Sequence, residues 1–412
     1  MEPWEVTRLN MEAAFVCLVS VVEDLTRQKS QDRMDLLVDI DVPAEETGPR
    51  PMLQDIKPAM TKMQGFLDIV YSRLSLFLTF LAVLENKDQV RAVNDLKIRR
   101  DIVNAHAITT LVSAFAALTQ TDQMASPQFT DQLCSVGILF QLEGLLSCYG
   151  SELCMLEDTI ISVEDLNYVS FRLVPANEKD FTPKASLGSF VREGAYPDIS
   201  RHNIIIDMPI EKDVFSRLPR DLQQGKQIKV TAMAFNIGIN EQATLAEKFG
   251  STALQERLNM ESFAKLYEYY IQYSKYYDDP LDKSLGLGSL HHMVKMLQNN
   301  VMTKKSKNVE VLHVASAVTR ALRGLRATFC KSGKDRTAMA VTLEMVHILQ
   351  RHHNLASHVF IQSLDCLRSV GCRRDNTLKN TGVKKYAFIS LQMLYIPKLY
   401  RAPSGTYGNV QT

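Results

Sequence analysis

Eight residues, Cys330-Lys331-Ser332-Gly333-Lys334-Asp335-Arg336-Thr337, constrain the fold more than any other stretch, because they place a thiol and a guanidinium six positions apart around a glycine. Residues 325–329 read as a short strand. Thr337 opens a helix whose predicted apolar face is Ala338, Val341, Met345, Ile348 and Leu349. The loop between them therefore sits at a helix N-terminus, where unpaired amide N–H groups, that of Ser332 among them, converge on an anion. Gly333 supplies the positive-φ freedom that lets consecutive N–H groups point inward. The same positive field favours the thiolate of Cys330, the reactive form. Arg336 returns to the rim, where its fork clamps two phosphate oxygens at once. Thr337 caps the helix and donates its hydroxyl to the sulfur.

Spacing alone is weak support, since about 0.4 Cys-x5-Arg matches are expected by chance in a chain with this many cysteines and arginines. The turn glycine, the two loop lysines, the threonine after the arginine and the strand-loop-helix setting carry the reading instead. The competing nucleotide loop G-x-x-x-x-G-K-[ST] fails: Asp335 follows Gly333-Lys334, and position 328 is Thr328. A structural cysteine before a solvated basic helix start is the bland alternative.

The run CKSGKDRTAMAVTLE at 330–344, with CLRSVGCRRDNTLKN at 366–380 and YRAPSGTYG at 400–408, resembles the C-terminal part of the inositol polyphosphate 4-phosphatases, types I and II. The segment FNIGINEQATLAEKFG at 235–250 is similar to the same family's catalytic region. CKSGKDRT is also similar to the loop of bacterial effector phosphoinositide phosphatases and, more distantly, of the phosphatase and tensin homologue. The resemblance implies removal of the 4-phosphate from phosphatidylinositol 3,4-bisphosphate and related soluble inositol phosphates. Full-length members carry an N-terminal lipid-binding β-sandwich. Nothing at the start of this chain points to one, so a fragment or a short form is expected.

The loop residues themselves imply a two-step mechanism. Cys330 attacks phosphorus, Arg336 and the loop amides stabilise the equatorial oxygens, and water hydrolyses the phosphocysteine. Asp335 is the first candidate for the acid that protonates the leaving oxygen, with orientation of Arg336 or of the loop as its alternative role. An aspartate on a separate loop stays open. Lys331 and Lys334 suit a substrate with more than one phosphate. No metal or cofactor is expected: His291-His292 and His352-His353 lack companions at ligand spacing. A protein tyrosine or dual-specificity phosphatase is the runner-up, disfavoured because two lysines oversupply charge for one phosphate. A non-catalytic membrane-binding scaffold is the third class, disfavoured because Cys330 and Arg336 are both intact.

Seven cysteines, an odd number scattered over 412 residues, form no secreted disulfide framework, and no basic-then-apolar leader opens the sequence. A cytoplasmic protein, peripherally associated with endosomal or plasma membranes, is expected. Residues 74–84 read as the longest apolar stretch and are too short to span a bilayer. From residue 301 onward there are 18 Lys plus Arg against 5 Asp plus Glu, net +13, whereas the first 300 residues carry 29 against 41, net −12. A basic half that holds the loop points to polyanionic ligands or an anionic membrane surface, and not to nucleic acid.

The expected architecture is a mixed, helix-rich α/β fold. Residues 1–164 read as a helical supporting region, with periodic apolar residues at 11–25, 60–84, 102–118 and 133–156 and a polar loop at 28–51. Residues 165–412 read as the cysteine-phosphatase-like catalytic domain. Its predicted strands are 202–208 and 227–235, and its predicted helices 241–248, 260–276 and 309–322. The tyrosines from Tyr267 to Tyr277 read as a packing stripe.

Overall fold

The structure, a computed structural model, describes residues 86–177, 180–192, 200–277, 281–282, 288–303 and 305–408. The chain divides into two compact units, residues 102–189 with 202–412, and residues 1–101 with 190–201. The larger unit holds residues 330–337. Predicted elements at 11–25, 28–51 and 60–84, including the apolar stretch 74–84, lie outside the described residues.

In chain order the elements begin with α1 (Asn86–Thr119), α2 (Pro127–Ser135), β1 (Ile138–Gly144), α3 (Ser151–Leu166), β2 (Val169–Pro175), β3 (Lys184–Arg192) and β4 (Ser200–Ile210). Then come α4 (Lys212–Ser216), α5 (Arg220–Gln223), β5 (Ile228–Asn236), α6 (Glu241–Phe249) and α7 (Ala253–Tyr273). The two-residue strands β6 (Leu281–Asp282) and β7 (Gly288–Ser289) precede α8 (Leu290–Met302), α9 (Glu310–Ala321) and β8 (Leu325–Phe329). The last helices are α10 (Asp335–His352), α11 (Phe360–Val370), α12 (Cys372–Thr381) and α13 (Ser390–Tyr395). The fold is thus mixed α/β and helix-rich.

Six strands form one mixed sheet in the order β3-β4-β2-β5-β1-β8. Strand β1 runs parallel to both neighbours, β5 and β8, while β2 is parallel to β4 and antiparallel to β5. Helices cover both faces. Ile138, Phe140 and Leu142 point into one core with Leu111, Phe115 and Leu156, and Leu139 points into the other with Leu266, Val318 and Leu343. A strand covered on both sides loses polar alternation, and every residue of β1 is buried.

That double burial corrects the helix predicted over 133–156. Helix α2 ends at Ser135, β1 lies inside the sheet between β5 and the edge strand β8, and α3 starts only at Ser151. Its two polar residues, Gln141 and Glu143, are both buried, and Glu143 Oε2 accepts from Arg326 Nη2 at 2.6 Å. A second correction concerns apolar length. Residues 98–119 of α1 are long and apolar enough to cross a membrane, unlike the shorter stretch singled out in the sequence. Leu111, Phe115 and Leu118 are nevertheless buried, and Phe115 stacks on Phe171 with ring centroids 3.9 Å apart. The remaining predicted strands and helices correspond to β4, β5, α6, α7 and α9. In α7, Tyr269, Tyr270 and Tyr273 are buried, as the packing stripe requires, while Tyr267 and, beyond the helix end, Tyr276 are exposed.

Candidate active site

Because β5, β1 and β8 run parallel and side by side, their following loops leave the same sheet edge, with Gly144 level with Asn236 and with Phe329. Ligands of such sheets bind at the carboxyl ends of the strands. Gly144 admits the close approach: a Cβ there would lie 2.4 Å from Asn236 Oδ1 and 2.8 Å from Phe329 Cζ. Asn236 stitches the loops together. Its Oδ1 accepts from Leu146 N at 3.0 Å, and its Nδ2 donates to Leu146 O at 2.7 Å and to Gln255 Oε1 at 3.0 Å.

The predicted strand Leu325–Phe329 is present as β8, and Cys330 follows it, 6% exposed. Gly333 adopts φ +61°, the left-handed conformation expected of it. Helix α10 starts at Asp335, two residues before the predicted start, with Lys334 at the N-cap. Its buried face also differs: Met339, Ala340, Leu343 and Val346 are buried, while Val341 and Met345 are exposed. Two apolar stripes are interleaved on this helix. The one that faces β8 and α9 wins.

Thr337 Oγ1 lies 3.2 Å from Cys330 Sγ and donates to it. Burial alone would push the thiol up; the Thr337 hydroxyl, the charge of Arg336 and the amides of Ser332 and Thr337 together outweigh it and hold Cys330 below its ordinary value. Arg336 is fixed from the β1 side. Its Nη1 donates to Leu145 O at 2.7 Å and to Glu152 Oε2 at 3.1 Å, and its Nη2 pairs with Glu152 Oε1. Glu152 is 2% exposed and also accepts from Ser147 N at 2.9 Å and Ser147 Oγ at 2.5 Å. Burial raises its carboxyl, but Arg336 and Ser147 reverse that and keep it below the usual range.

The other loop residues separate. Lys331 is exposed and its Nζ donates to Ser151 Oγ at 2.9 Å, at the start of α3. Asp335 has both oxygens engaged: Arg373 Nε donates to Oδ1 at 2.6 Å and Ala387 N to Oδ2 at 3.2 Å. In this arrangement it accepts at both oxygens. Among the described residues, no group of three or more His, Cys, Asp or Glu is placed to hold a metal ion.

Sequence reasoning missed Glu152, Arg373 and Glu241. Glu152 carried a weak signal, an acidic residue in the first turn of a helix after Gly150-Ser151. Glu241 begins α6, just beyond β5. Gln392 Nε2 donates to its Oε1 at 2.8 Å, its Oε2 is buried without a partner, and its charge acts on Arg336. Arg373 lay within a quoted motif, but its partner Asp335 is 38 positions away.

The quoted motifs converge in space. From 366–380, Arg368, 1% exposed, donates to Met339 O at 2.8 Å and Thr342 Oγ1 at 3.1 Å in the first motif. It also reaches Arg401 O at 2.8 Å in the last, and Tyr386 OH donates to Arg368 O at 2.7 Å. These bonds anchor α10, the helix that follows Cys330 and its loop.

The family described as INPP4A C-terminal domain matches residues 2–400. The chain is 35% identical over its whole length to the human inositol polyphosphate 4-phosphatase type II and to the rat type II inositol 3,4-bisphosphate 4-phosphatase, of which it spans 44%. Over 82% of its length it is also 27% identical to the human phosphatidylinositol 3,4,5-trisphosphate-dependent Rac exchanger 2 protein, spanning 23% of that protein. With a match that covers nearly all of its length, the chain belongs to the INPP4A C-terminal domain family.

Proposed function

We propose that the chain is a metal-independent phosphoinositide phosphatase that removes the 4-phosphate of phosphatidylinositol 3,4-bisphosphate and related inositol phosphates. One observation carries the reading: a buried thiol, held below its ordinary pKa, stands beside an arginine locked by a buried glutamate at the carboxyl ends of parallel strands. The names of the type II relatives supply the regiospecificity. The strand, loop and helix form a cysteine-phosphatase-like unit.

In the first step Cys330 Sγ forms a bond to phosphorus while the bond from phosphorus to the ring oxygen breaks, and that oxygen takes a proton. The loop amides, that of Ser332 among them, and the fork of Arg336 share the charge on the equatorial oxygens. Water then attacks phosphorus, the S–P bond breaks, the thiolate is restored and inorganic phosphate leaves. Thr337 stabilises the sulfur as it departs. Asp335 serves as the acid once its pairing with Arg373 opens. Glu241, with one carboxylate oxygen unpartnered, is the second candidate. Lys331 and Lys334 add charge at the rim for a second phosphate. The protein works in the cytoplasm, with its basic half against anionic endosomal or plasma membranes.

Likeness to a Rac exchanger favours a second reading, a phosphoinositide-binding module without turnover. Phosphate release, measured with chelator present on a panel of phosphoinositide isomers and a phosphotyrosine peptide, separates the readings. Release from the 3,4-bisphosphate above all others is the expected result. Binding without release would favour the module, and preference for the peptide would favour a protein phosphatase. Loss of all activity with chelator, restored by magnesium, would contradict the cysteine mechanism.

A further inference from the structure

Arg373 is an unusual group to find beside a phosphate loop, because it is buried and incompletely paired. Its side chain is 12% exposed. Nε donates to Asp335 Oδ1 at 2.6 Å, but the second carboxylate oxygen is taken by the amide of Ala387, so the arginine makes a single-point contact where a fork could make two. Nη2 is left buried without a partner. A guanidinium N–H kept from water without an acceptor costs free energy, and an acceptor oxygen placed there recovers it.

The acceptor's chemistry follows from the position. Asp335 is the residue directly before Arg336, so Arg373 stands one side chain away from the loop that holds the reacting phosphate. Arg373 also lies in the first turn of α12, whose N-cap, Gly371, brings no side chain to its amides. Asp335 meets Arg373 from α10, and Asp375 on α12 is engaged by Lys384 at 2.6 Å. With one carboxylate partner at Nε, the remaining donors suit a dianionic oxygen cluster more than a neutral hydroxyl.

We propose that Arg373 is a specificity-determining residue that binds the second phosphate of a bisphosphorylated ring while the first reacts at Cys330. The inference rests on the phosphatase reading above. In the present arrangement Nη2 is buried and unpartnered, and the proposal requires the guanidinium to turn from there toward the phosphate. The partner is a phosphate vicinal to the one cleaved, whether it comes on a soluble inositol phosphate or on a lipid headgroup.

Arg373→Lys keeps a positive charge for Asp335 but lacks the second N–H, so it separates recognition from support of the loop. Its kcat/KM is measured on soluble inositol 3,4-bisphosphate and inositol 4-phosphate, on vesicles bearing the corresponding lipids, and on an aryl phosphate. The expected result is a loss on both bisphosphates about tenfold or more greater than the loss on the matching monophosphates and on the aryl phosphate. Equal losses on every substrate would reduce Arg373 to a support for Asp335 and overturn the proposal. Loss in the vesicle arm alone would overturn it too, by assigning the contact to the membrane surface. If the unaltered chain cleaved the aryl phosphate but no inositol phosphate, the phosphoinositide phosphatase reading itself would fail. If it favoured the bisphosphate and Arg373→Lys preserved that preference, only this inference would fall.

Discussion

In the proposed mechanism Cys330 reacts as a thiolate, which the Thr337 hydroxyl, the charge of Arg336 and two loop amides favour against burial. Removing one of them, with Thr337→Val, should shift the pH midpoint of iodoacetamide alkylation upward, since the thiolate loses its hydroxyl donor. An unchanged midpoint would remove Thr337 from the account. Glu152 makes a second test at this scale. Glu152→Gln leaves Arg336 buried without its counter-charge and should cost about 3–5 kcal/mol in urea denaturation. Its native carboxyl lies below the unfolded value of about 4.3, so the pair's contribution is full above that pH and is lost as pH falls through the lower native value. The Gln variant should therefore lose less stability than the parent on going below about pH 4.3. A variant with the parent's full acid sensitivity would contradict this. The strand-loop-helix around Cys330 was legible because its residues are contiguous; Glu152 was not, because it meets Arg336 across 184 positions.

Strands and helices show the same divide. Strand β8 was readable from the loop that follows it, and β4 and β5 from their Ile and Val content, whereas β1 is buried on both faces and its apolar residues run into those of the flanking helices, so the segment read as one long helix. Periodicity located α10 but chose the wrong stripe. Two sets of apolar residues share its surface, and only packing against β8 and α9 distinguishes them. Paired substitutions test the corrected face. Leu343→Ala, at a site 2% exposed, should cost about 2–5 kcal/mol, while Val341→Ala, at 43% exposed, should stay within about 0.5 kcal/mol. The opposite order in chemical denaturation would restore the sequence-derived face. Gly144→Ala should destabilise the sheet edge and the site together, since its Cβ meets Asn236 and Phe329.

Across the whole molecule, charge is distributed as the proposed membrane role requires. Residues from 301 onward carry net +13 and include the phosphate loop, Arg373 and the C-terminal segments that anchor α10. Retention on phosphatidylserine vesicles should fall steeply between about 0.1 and 1 M salt, as the screening length drops from about 10 to 3 Å. Binding that ignored salt, or that was equal on neutral vesicles, would detach the membrane from the account. The central claim is chemical: phosphate passes through Cys330. A single-turnover quench with inositol 3,4-bisphosphate labelled at the 4-phosphate tests it most directly. The account predicts label on the peptide that contains Cys330 before free phosphate appears, and none in Cys330→Ser. Release of phosphate by the serine variant, with no labelled chain at any time, would contradict it.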